Sequence, residues 1–435
     1  MARGPEAQGR TPKSELGARR LKGFSQVVSR ALAEIEPNEE RRTALLEKIT
    51  AAQADDESTG LEGAEALVET LDKLARNIQD RAVRDQCLRI LSKICRAKVT
   101  LPESYIVSDV VPEKRWKIGG FADIWTGKVK GEDVCLRVFR QHEPQQQAKI
   151  NGMFYSHAIR WKYLSHENVL PFLGISEALR PFGLVSPWMP NIDILEYIKD
   201  NPDAERLSLL ANAACGLEYL HSENIVHGGI NPGSILITGK NTACIGGFEI
   251  AGIITNPFIT GQGGATTCRR GIVRYMAPEQ VYPEKFGMQN SDAVEASDVY
   301  SFAMTVYEAL TGTEPYAGTT GEGPLATSIV DNNRPPRPND EVAAKWLPDP
   351  VWEILEACWI PQPTSRPLIK GVHQVLEASA VHADRPMSLV GESPLKADTP
   401  QTSLVDVIEP PAKRGFLDKI RGLVNGCHQA QFIEQ

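Results

Sequence analysis

The order in which apolar patterns follow one another along the chain constrains the fold more than any other feature. From Phe24 to about Arg96, apolar residues recur at helical spacing. From Pro102 to about His382, two short β-rich runs, "FADIWTGKV" and "DVCLRVFR", come first, and helical stripes with Gly- and Pro-marked turns follow. This order predicts an α+β domain in which a lobe with a β-sheet precedes a helical lobe, behind a helical extension.

The helical extension is predicted over residues 23–100, after a disordered N-terminus at 1–22. Breaks at "EPNEE" and "DDESTG" divide it into three or four helices. Its apolar stripes consist of Phe24, Val27, Val28, Ala31, Leu32 and Ile35, then Leu67, Leu71, Leu74, Ala75 and Ile78, then Leu88, Leu91 and Ile94. Two interpretations stay open, a packing or dimerisation element and a specific adaptor domain.

Charge and cysteine content exclude several classes of protein. The chain has 47 basic and 55 acidic residues, a net charge of −8, so nucleic acid is not an expected partner. Its eight cysteines form no Cys-x-x-Cys pair, which predicts reduced thiols and no metal site. The N-terminal stretch "MARGPEAQGRTPKSELGARR" lacks the apolar segment expected of a secretory signal, and the sequence has no run of about 18 apolar residues, so the predicted location is cytoplasmic.

Three spaced motifs in the central region resemble those of protein kinases. They are "RYMAPE", which ends at Glu279, then "SDVYSFAMTVYEALTG", and "CWIPQPTSRP". The resemblance implies a bilobal kinase-like domain over residues 101–383, with a small lobe of five antiparallel strands and a large helical lobe. Together with "ALRPFGLVSPWM", the motifs are most similar to the tyrosine-kinase-like branch, in the form common in fungi.

The resemblance also assigns structural roles to three charged residues. In the family, the Glu at the position of Glu279 pairs with an Arg at the position of Arg366, and the Asp at the position of Asp298 caps the backbone of the catalytic loop. A buried charge persists only when it is paired, so the presence of both members of the pair predicts an intact scaffold.

The catalytic loop of the family, His-Arg-Asp-Leu-Lys-Pro-x-Asn, matches the stretch "HGGINPGS". Gly229 stands in place of the Asp that accepts the substrate proton, Asn231 in place of the Lys, and Ser234 in place of the Asn that binds a second Mg²⁺. His227 and Pro232, which support packing, are present. The comparison predicts a loop without its chemistry, in which replacing Ser234 costs little stability.

The other catalytic positions of the family are altered as well. Gly247 replaces the metal-binding Asp, Arg137 replaces the strand Lys that clamps the phosphates, and His157 replaces the helix Glu that pairs with that Lys. In the phosphate-covering loop, Lys117 and Ala122 stand where the first and third Gly are expected. No catalytic site is therefore expected to be intact.

These substitutions predict a catalytically impaired kinase-like protein, a pseudokinase, that acts as a signalling scaffold or allosteric regulator. Its expected partners are proteins, such as an active kinase or a kinase substrate. No cofactor is required; any ATP that binds is expected to bind weakly and without Mg²⁺. In a third interpretation, the kinase-like region is a folded platform and the N-terminal helices perform the recognition.

The enzyme alternative is an atypical ATP-dependent serine/threonine kinase that uses substitute residues. Lys128 or Lys130 would then reach the phosphates, and Glu249 or Glu167 would recruit a metal.

An adenine pocket is a separate prediction from catalysis. Its lining would be Ile118, Ile124, Cys135, Ser186, Met189 and Leu236. These side chains are apolar or small, so the pocket is either open to a nucleotide or closed by packing between the lobes.

The C-terminal region, 384–435, is predicted to be a disordered tail that contains one short amphipathic helix. Within "PPAKRGFLDKIRGLVNG", apolar residues at helical spacing alternate with basic ones over 413–425. This segment fits peripheral contact with an anionic membrane or docking in a protein groove, including one on the same chain. A marginal helix that frays in water is the alternative.

Overall fold

The computed structural model describes residues 26–53, 64–118, 122–139, 144–247, 273–338 and 346–383, and the structural statements that follow refer to these residues. They form two compact units. The first unit contains the N-terminal helices and a β-sheet, and the second contains most of the chain from residue 187 onwards.

Four helices precede the sheet within the described residues, in agreement with the predicted three or four. They are α1 over 26–35, α2 over Glu39–Gln53, α3 over Ala64–Asn77 and α4 over Arg81–Lys98. The predicted stripes are largely buried, with Leu32, Leu71 and Leu91 fully inaccessible. Helix α4 begins where the Asp80 side chain accepts a hydrogen bond from the Val83 N–H.

The first unit contains a five-stranded sheet, as predicted. Its strands are β1 (Val110–Ile118), β2 (Ala122–Val129), β3 (Glu132–Phe139), β4 (Gly174–Ser176) and β5 (Gly183–Pro187), arranged in the order β1-β2-β3-β5-β4. Strand β2 pairs with β3 in antiparallel orientation, and β4 pairs with β5 in the same way. Alternating apolar residues form the core on one face, namely Val110, Val134, Leu136, Val138 and Val185.

Helix α5 (Pro144–Trp161) follows the sheet strand β3 and packs directly on α4. The closest approach is at Gly152, where a Cβ would lie 2.4 Å from the carbonyl oxygen of Arg96. Beside it, the Ser92 hydroxyl donates a hydrogen bond to the Ser156 carbonyl at 3.1 Å. Glycine is therefore required at 152 for the two helix backbones to approach each other this closely.

A buried carboxylate on α3 connects this helix with the segment before β1 and with the segment that follows α5. Asp72 is fully inaccessible. It accepts hydrogen bonds from Arg76 at 2.6 Å, the Ser104 hydroxyl at 2.8 Å and the Tyr163 hydroxyl at 3.2 Å. Since a buried charge is stable only with such partners, Asp72 fixes α3 to the rest of the first unit.

The second unit is mostly helical, as predicted for the large lobe. Its elements are α6 (Ile194–Asp200), α7 (Arg206–Ser222), β6 (Ile235–Ile237), β7 (Ala243–Ile245), α8 (Pro278–Val281), α9 (Glu295–Thr311), α10 (Glu322–Val330), α11 (Asp349–Cys358) and α12 (Ile369–Ala383). Helix α9 is buried from Ser297 to Leu310 and forms the centre of the core, while α7 packs on α12.

The cysteines of the described residues are free thiols. There are six of them, and burial raises the pKa of Cys87, Cys95 and Cys244 to about 12, so these thiols stay protonated at neutral pH. Within the same residues, no helix combines the length and apolar character needed to cross a membrane.

Candidate active site

A buried ion pair joins two distant motifs of the second unit. Arg366 contacts both carboxylate oxygens of Glu279 at 2.7 Å, and both side chains are fully inaccessible. The Ser297 hydroxyl donates to the same carboxylate at 2.8 Å, and the guanidinium also donates to the Ala296 and Ile360 carbonyls. The predicted Glu279–Arg366 pair is confirmed, in the bidentate geometry that arginine favours.

Asp298 caps the backbone of the loop that was predicted to be the altered catalytic loop. One carboxylate oxygen accepts the His227 N–H and the other accepts the Gly228 N–H, each at 2.7 Å. The capping role predicted for Asp298 is confirmed. The imidazole of His221 lies 2.9 Å from the same carboxylate and gives it a third partner.

The side chains at 231 and 234 close the loop on itself. Asn231 donates from its amide to the Gly229 carbonyl at 2.9 Å and accepts the Gly233 N–H at 3.0 Å. The Ser234 hydroxyl donates to the Asn231 carbonyl at 2.7 Å and accepts the Asn231 N–H at 3.1 Å. The side chains of Asn231 and Ser234 therefore form their hydrogen bonds with backbone groups of the same loop.

The expectation that replacing Ser234 costs little is not supported by this geometry. Ser234 is 5% exposed and forms a capping box with Asn231. Removing its hydroxyl leaves the part-buried Asn231 N–H without that acceptor, which costs up to about 1–3 kcal/mol. Ser234 is thus a structural residue at a position where the family has a metal ligand.

Gly247 lies beside Ser234, so the structure brings together two positions that bind metal in the kinase family. A Cβ at residue 247 would be 3.5 Å from the Cβ of Ser234. The backbone at Gly247 has φ +90°, which favours glycine. Neither residue supplies a carboxylate, and within the described residues no group of three or more His, Cys, Asp or Glu is placed to hold a metal ion.

The two positions of the family's Lys–Glu pair lie on β3 and α5 of the first unit. Arg137 lies opposite Ile124 in the β2–β3 register. Burial, followed by the positive charges of Arg160 and Arg96, lowers the pKa of His157 from 6.5 to about 4. His157 is therefore neutral at pH 7 and cannot supply the negative charge of the family's Glu.

The enzyme alternative needs substitutes for the lost cation and metal ligand, and the candidate residues differ in their surroundings. Lys128 Nζ lies 2.6 Å from Asp133 Oδ1, and this hydrogen bond, with the charge of Asp133, raises the lysine pKa. Lys130 is exposed after the end of β2, and Glu167 is also exposed. Glu249 lies outside the described residues.

The residues predicted to line an adenine pocket are divided between the two units. Ile124, Cys135 and Ser186 belong to the first unit, and Met189 and Leu236 belong to the second. Ile118, at the end of β1, is 64% exposed. The pocket itself stays a prediction.

Two residues that support this site were not found from the sequence. They are His221, which contacts Asp298, and Ser297, which contacts Glu279. Ser297 has a recognisable signal, because it directly precedes the motif Asp on α9. His221 has no such signal in the sequence. It lies on α7, 77 residues before Asp298, and no motif marks that helix. The amphipathic tail segment 413–425 and the N-terminal residues 1–22 lie outside the described residues.

Comparisons with known proteins agree with the motifs. Residues 113–376, more than half of the chain, match the profile of the family described as protein tyrosine and serine/threonine kinase. The chain belongs to the protein kinase family. Its bilobal α+β fold, with an antiparallel sheet and a helical lobe, is the fold that the motifs predicted.

Individual relatives of this kinase-family chain are distant. The tyrosine-protein kinase transforming protein Fps of avian sarcoma virus (strain PRCII) is 25% identical over 296 residues, 66% of this chain and 52% of that protein. The serine/threonine-protein kinase STY17 of Arabidopsis thaliana is 23% identical over 270 residues, 61% of this chain and 43% of that protein. The chain thus spans about half or less of the length of these relatives, whose names include both kinase specificities.

Proposed function

We propose that this member of the protein kinase family is a pseudokinase, a catalytically impaired protein that acts as a signalling scaffold or allosteric regulator. The observation that carries the proposal is the closed loop around Gly229. Where the family has an acid, a lysine and a metal-binding amide, this loop has Gly229, Asn231 and Ser234, and the polar groups of the last two bond within the loop.

The proposed loss of activity follows from how much a general base and a metal ion contribute to the rate of phosphate transfer. A general base contributes about 10²–10⁴-fold, and Gly229 has no side chain to act as one. Metal ions supply much of the charge stabilisation in phosphoryl transfer, and Gly247 offers no ligand. These contributions are not additive, because the first loss already disables much of the catalytic unit. Little phosphate transfer is expected to remain.

Nucleotide binding is expected to be weak and independent of Mg²⁺. In the family, the metal bridges the phosphates to the Asp and Asn at the positions of Gly247 and Ser234. Neither a glycine nor a serine engaged with Asn231 replaces those ligands. No cofactor is required for the proposed function.

The support for a binding role is the intact scaffold. The Glu279–Arg366 pair and the Asp298 cap stabilise the kinase fold and do not take part in phosphate transfer. A stable kinase-shaped surface without catalysis suits a scaffold for an active kinase or a kinase substrate. We place the chain in the tyrosine-kinase-like branch, in the form common in fungi, on the motifs "ALRPFGLVSPWM" and "CWIPQPTSRP".

The enzyme alternative draws on the kinase names of the relatives. It needs a substitute cation and a substitute metal ligand. Lys128, one candidate cation, is hydrogen-bonded to Asp133 in the structure, and freeing it requires breaking that bond.

A phosphate-transfer assay with radiolabelled ATP, on generic acidic and basic protein substrates, tests the proposal. The intact chain and an Arg137→Ala variant are expected to give the same background signal. Transfer that survives Arg137→Ala and is abolished by Lys128→Met would establish the atypical kinase instead. Lys93→Met, which changes a lysine on α4, is the matched control for Lys128→Met.

A thermal-shift titration with ATP, with and without Mg²⁺, tests the nucleotide prediction. No added stabilisation by Mg²⁺ is expected for the intact chain. A large Mg²⁺-dependent rise in melting temperature, following mass action, would contradict it.

A further inference from the structure

Basic residues are concentrated on two neighbouring helices of the first unit. Helix α4 contains six lysine or arginine residues and one acidic residue, and α5 contains two lysine or arginine residues and no acidic residue. The whole chain, in contrast, has a net charge of −8. The pair of helices is therefore locally positive in a protein that is negative as a whole.

The two helices run antiparallel, and their contacts set the level of each basic residue. Two of these contacts join residues 92 and 96 of α4 to residues 156 and 152 of α5, respectively. A step of four residues forward along α4 thus corresponds to a step of four residues back along α5. One turn before residue 92, Arg160 of α5 is level with the turn of α4 that contains Arg89.

Three basic residues form one line along the solvent side of α4. Arg89, Lys93 and Arg96 are separated by four and three residues, the spacing at which side chains on a helix are neighbours. All three are exposed, and so is Arg160 on α5. We call Arg89, Lys93, Arg96 and Arg160 the basic surface.

The positive charges of the basic surface are not neutralised by acidic neighbours. Within the described residues, Arg89, Arg96 and Arg160 form no ion pair, although Asp85 lies one turn before Arg89. Like charges one turn apart, as in Arg89 and Lys93, weaken a helix. The helix dipole favours a cation in the last turn, which applies to Arg96 and Arg160 but not to Arg89. An anionic partner would remove the repulsion between Arg89 and Lys93.

The helices beneath the basic surface are fixed to each other. The close backbone contact at Gly152 holds α4 on α5, so a partner has to order side chains but not backbone. The positive field also reaches into the unit, because the pKa of His157 is lowered to about 4 by burial and then by the charges of Arg160 and Arg96. The two arginines therefore act on one region of the molecule.

We propose that the basic surface binds an acidic segment of a partner polypeptide. Arginine binds carboxylates through paired hydrogen bonds, and three of the four residues are arginines. In an extended chain, alternate side chains lie about 6.6 Å apart. This spacing is close to the rise of about 6 Å between Arg89 and Lys93 along α4. A segment with acidic residues at alternate positions therefore matches the line of cations.

A polypeptide fits this surface better than an anionic membrane does. Helices that lie on membranes insert an apolar face among the lipids. The apolar face of α4 points inward, where Leu91 and Ile94 are buried. Among the described residues, the large apolar side chains that are exposed lie on neither α4 nor α5. The proposal does not rest on the loss of kinase activity, because none of these residues lies in the altered loop.

Fluorescence anisotropy with a labelled peptide of alternating glutamate and serine, titrated with the full chain, tests the proposal. The same peptide with glutamine in place of glutamate is the matched probe. We expect the glutamate peptide to bind, with an affinity that falls as salt is raised, and the glutamine peptide to bind at least about tenfold more weakly. Equal binding of the two peptides, or no binding of the glutamate peptide at millimolar protein concentration, would overturn the proposal.

Two variants with equal loss of charge assign the binding to the basic surface. The test variant carries Arg89→Gln, Arg96→Gln and Arg160→Gln. The control variant carries Lys413→Gln, Arg414→Gln and Arg421→Gln, in the tail. Glutamine has a helix propensity close to that of arginine, so the test variant should keep the melting temperature of the intact chain. It should bind the glutamate peptide about tenfold or more weakly, since each exposed charge pair contributes a factor of about two to five. The control variant should bind within about twofold of the intact chain, and an equal loss in both variants would show that the peptide responds only to net charge and would refute the assignment.

Anionic vesicles decide between a polypeptide and a membrane. Vesicles of phosphatidylserine and phosphatidylcholine are sedimented with the intact chain and with the two variants. Equal sedimentation of the intact chain and the test variant supports a polypeptide as the partner. If the test variant loses vesicle binding that the control variant keeps, the basic surface serves a membrane and the proposal is wrong.

Discussion

The contact between helices α4 and α5 can be tested at a single atom by replacing Gly152 with alanine. In most helix interiors this change stabilises a protein by about 1 kcal/mol, because alanine has the higher helix propensity. At residue 152 the added Cβ would lie 2.4 Å from the Arg96 carbonyl oxygen and 3.2 and 3.3 Å from its carbonyl carbon and Cα. All three are backbone atoms, so relief requires the two helices to separate.

Separation of the helices is expected to reverse the effect of the higher propensity. Overpacking of this kind costs about 1–3 kcal/mol. Gly371, in helix α12, is the matched control, since a Cβ there has no other heavy atom within 4 Å. Gly371→Ala should stabilise the protein by about 0.5–1 kcal/mol. Gly152→Ala should be about 1–3 kcal/mol less stable than Gly371→Ala.

Urea denaturation followed by circular dichroism measures this difference directly. Hydrogen exchange gives a local readout, because amides at the C-terminal end of α4, next to Arg96, should exchange faster in Gly152→Ala alone. Equal stabilisation by the two substitutions would refute the reasoning. It would mean that the N-terminal helices do not pack on α5 at this distance in solution.

Three further predictions concern buried groups. Replacing Arg366 by Met should lower the free energy of unfolding by about 3–5 kcal/mol, measured by urea denaturation, because Glu279 is left buried without its partner. Ser234→Ala should cost about 1–3 kcal/mol in the same assay, and a neutral effect would restore the view that its hydroxyl is dispensable. His157 binds protons less readily in the folded than in the unfolded state, so stability should fall as pH drops from 6.5 toward about 4. The loss should approach about 3 kcal/mol, and a His157→Gln variant that shows the same pH dependence would rule out this cause.

The fold could be predicted well from the sequence because its signals are either local or carried by specific motifs. Alternating apolar runs predicted the sheet, and helical spacing predicted α3 and α4. The Glu279–Arg366 pair joins residues 87 positions apart. It was nevertheless predictable, because each residue sits in its own kinase motif.

The packing of α4 on α5 could not be predicted, since it depends on which helix faces meet. The sequence places Gly152 inside a helical stretch, where glycine alone suggests only a weak helix.

The acids that the second unit retains have structural partners, which is consistent with the proposed loss of catalysis. Glu279 and Asp298 each satisfy buried donors, so losing either carboxylate leaves a buried cation or backbone N–H without its acceptor. A carboxylate at 229 or 247 has no such task within the loop, where Asn231 and Ser234 already bond to the backbone. Acids placed close together for catalysis repel each other and reduce stability until a metal ion binds. With glycine at both positions that repulsion does not arise, and we infer that the large lobe is stable without nucleotide or metal.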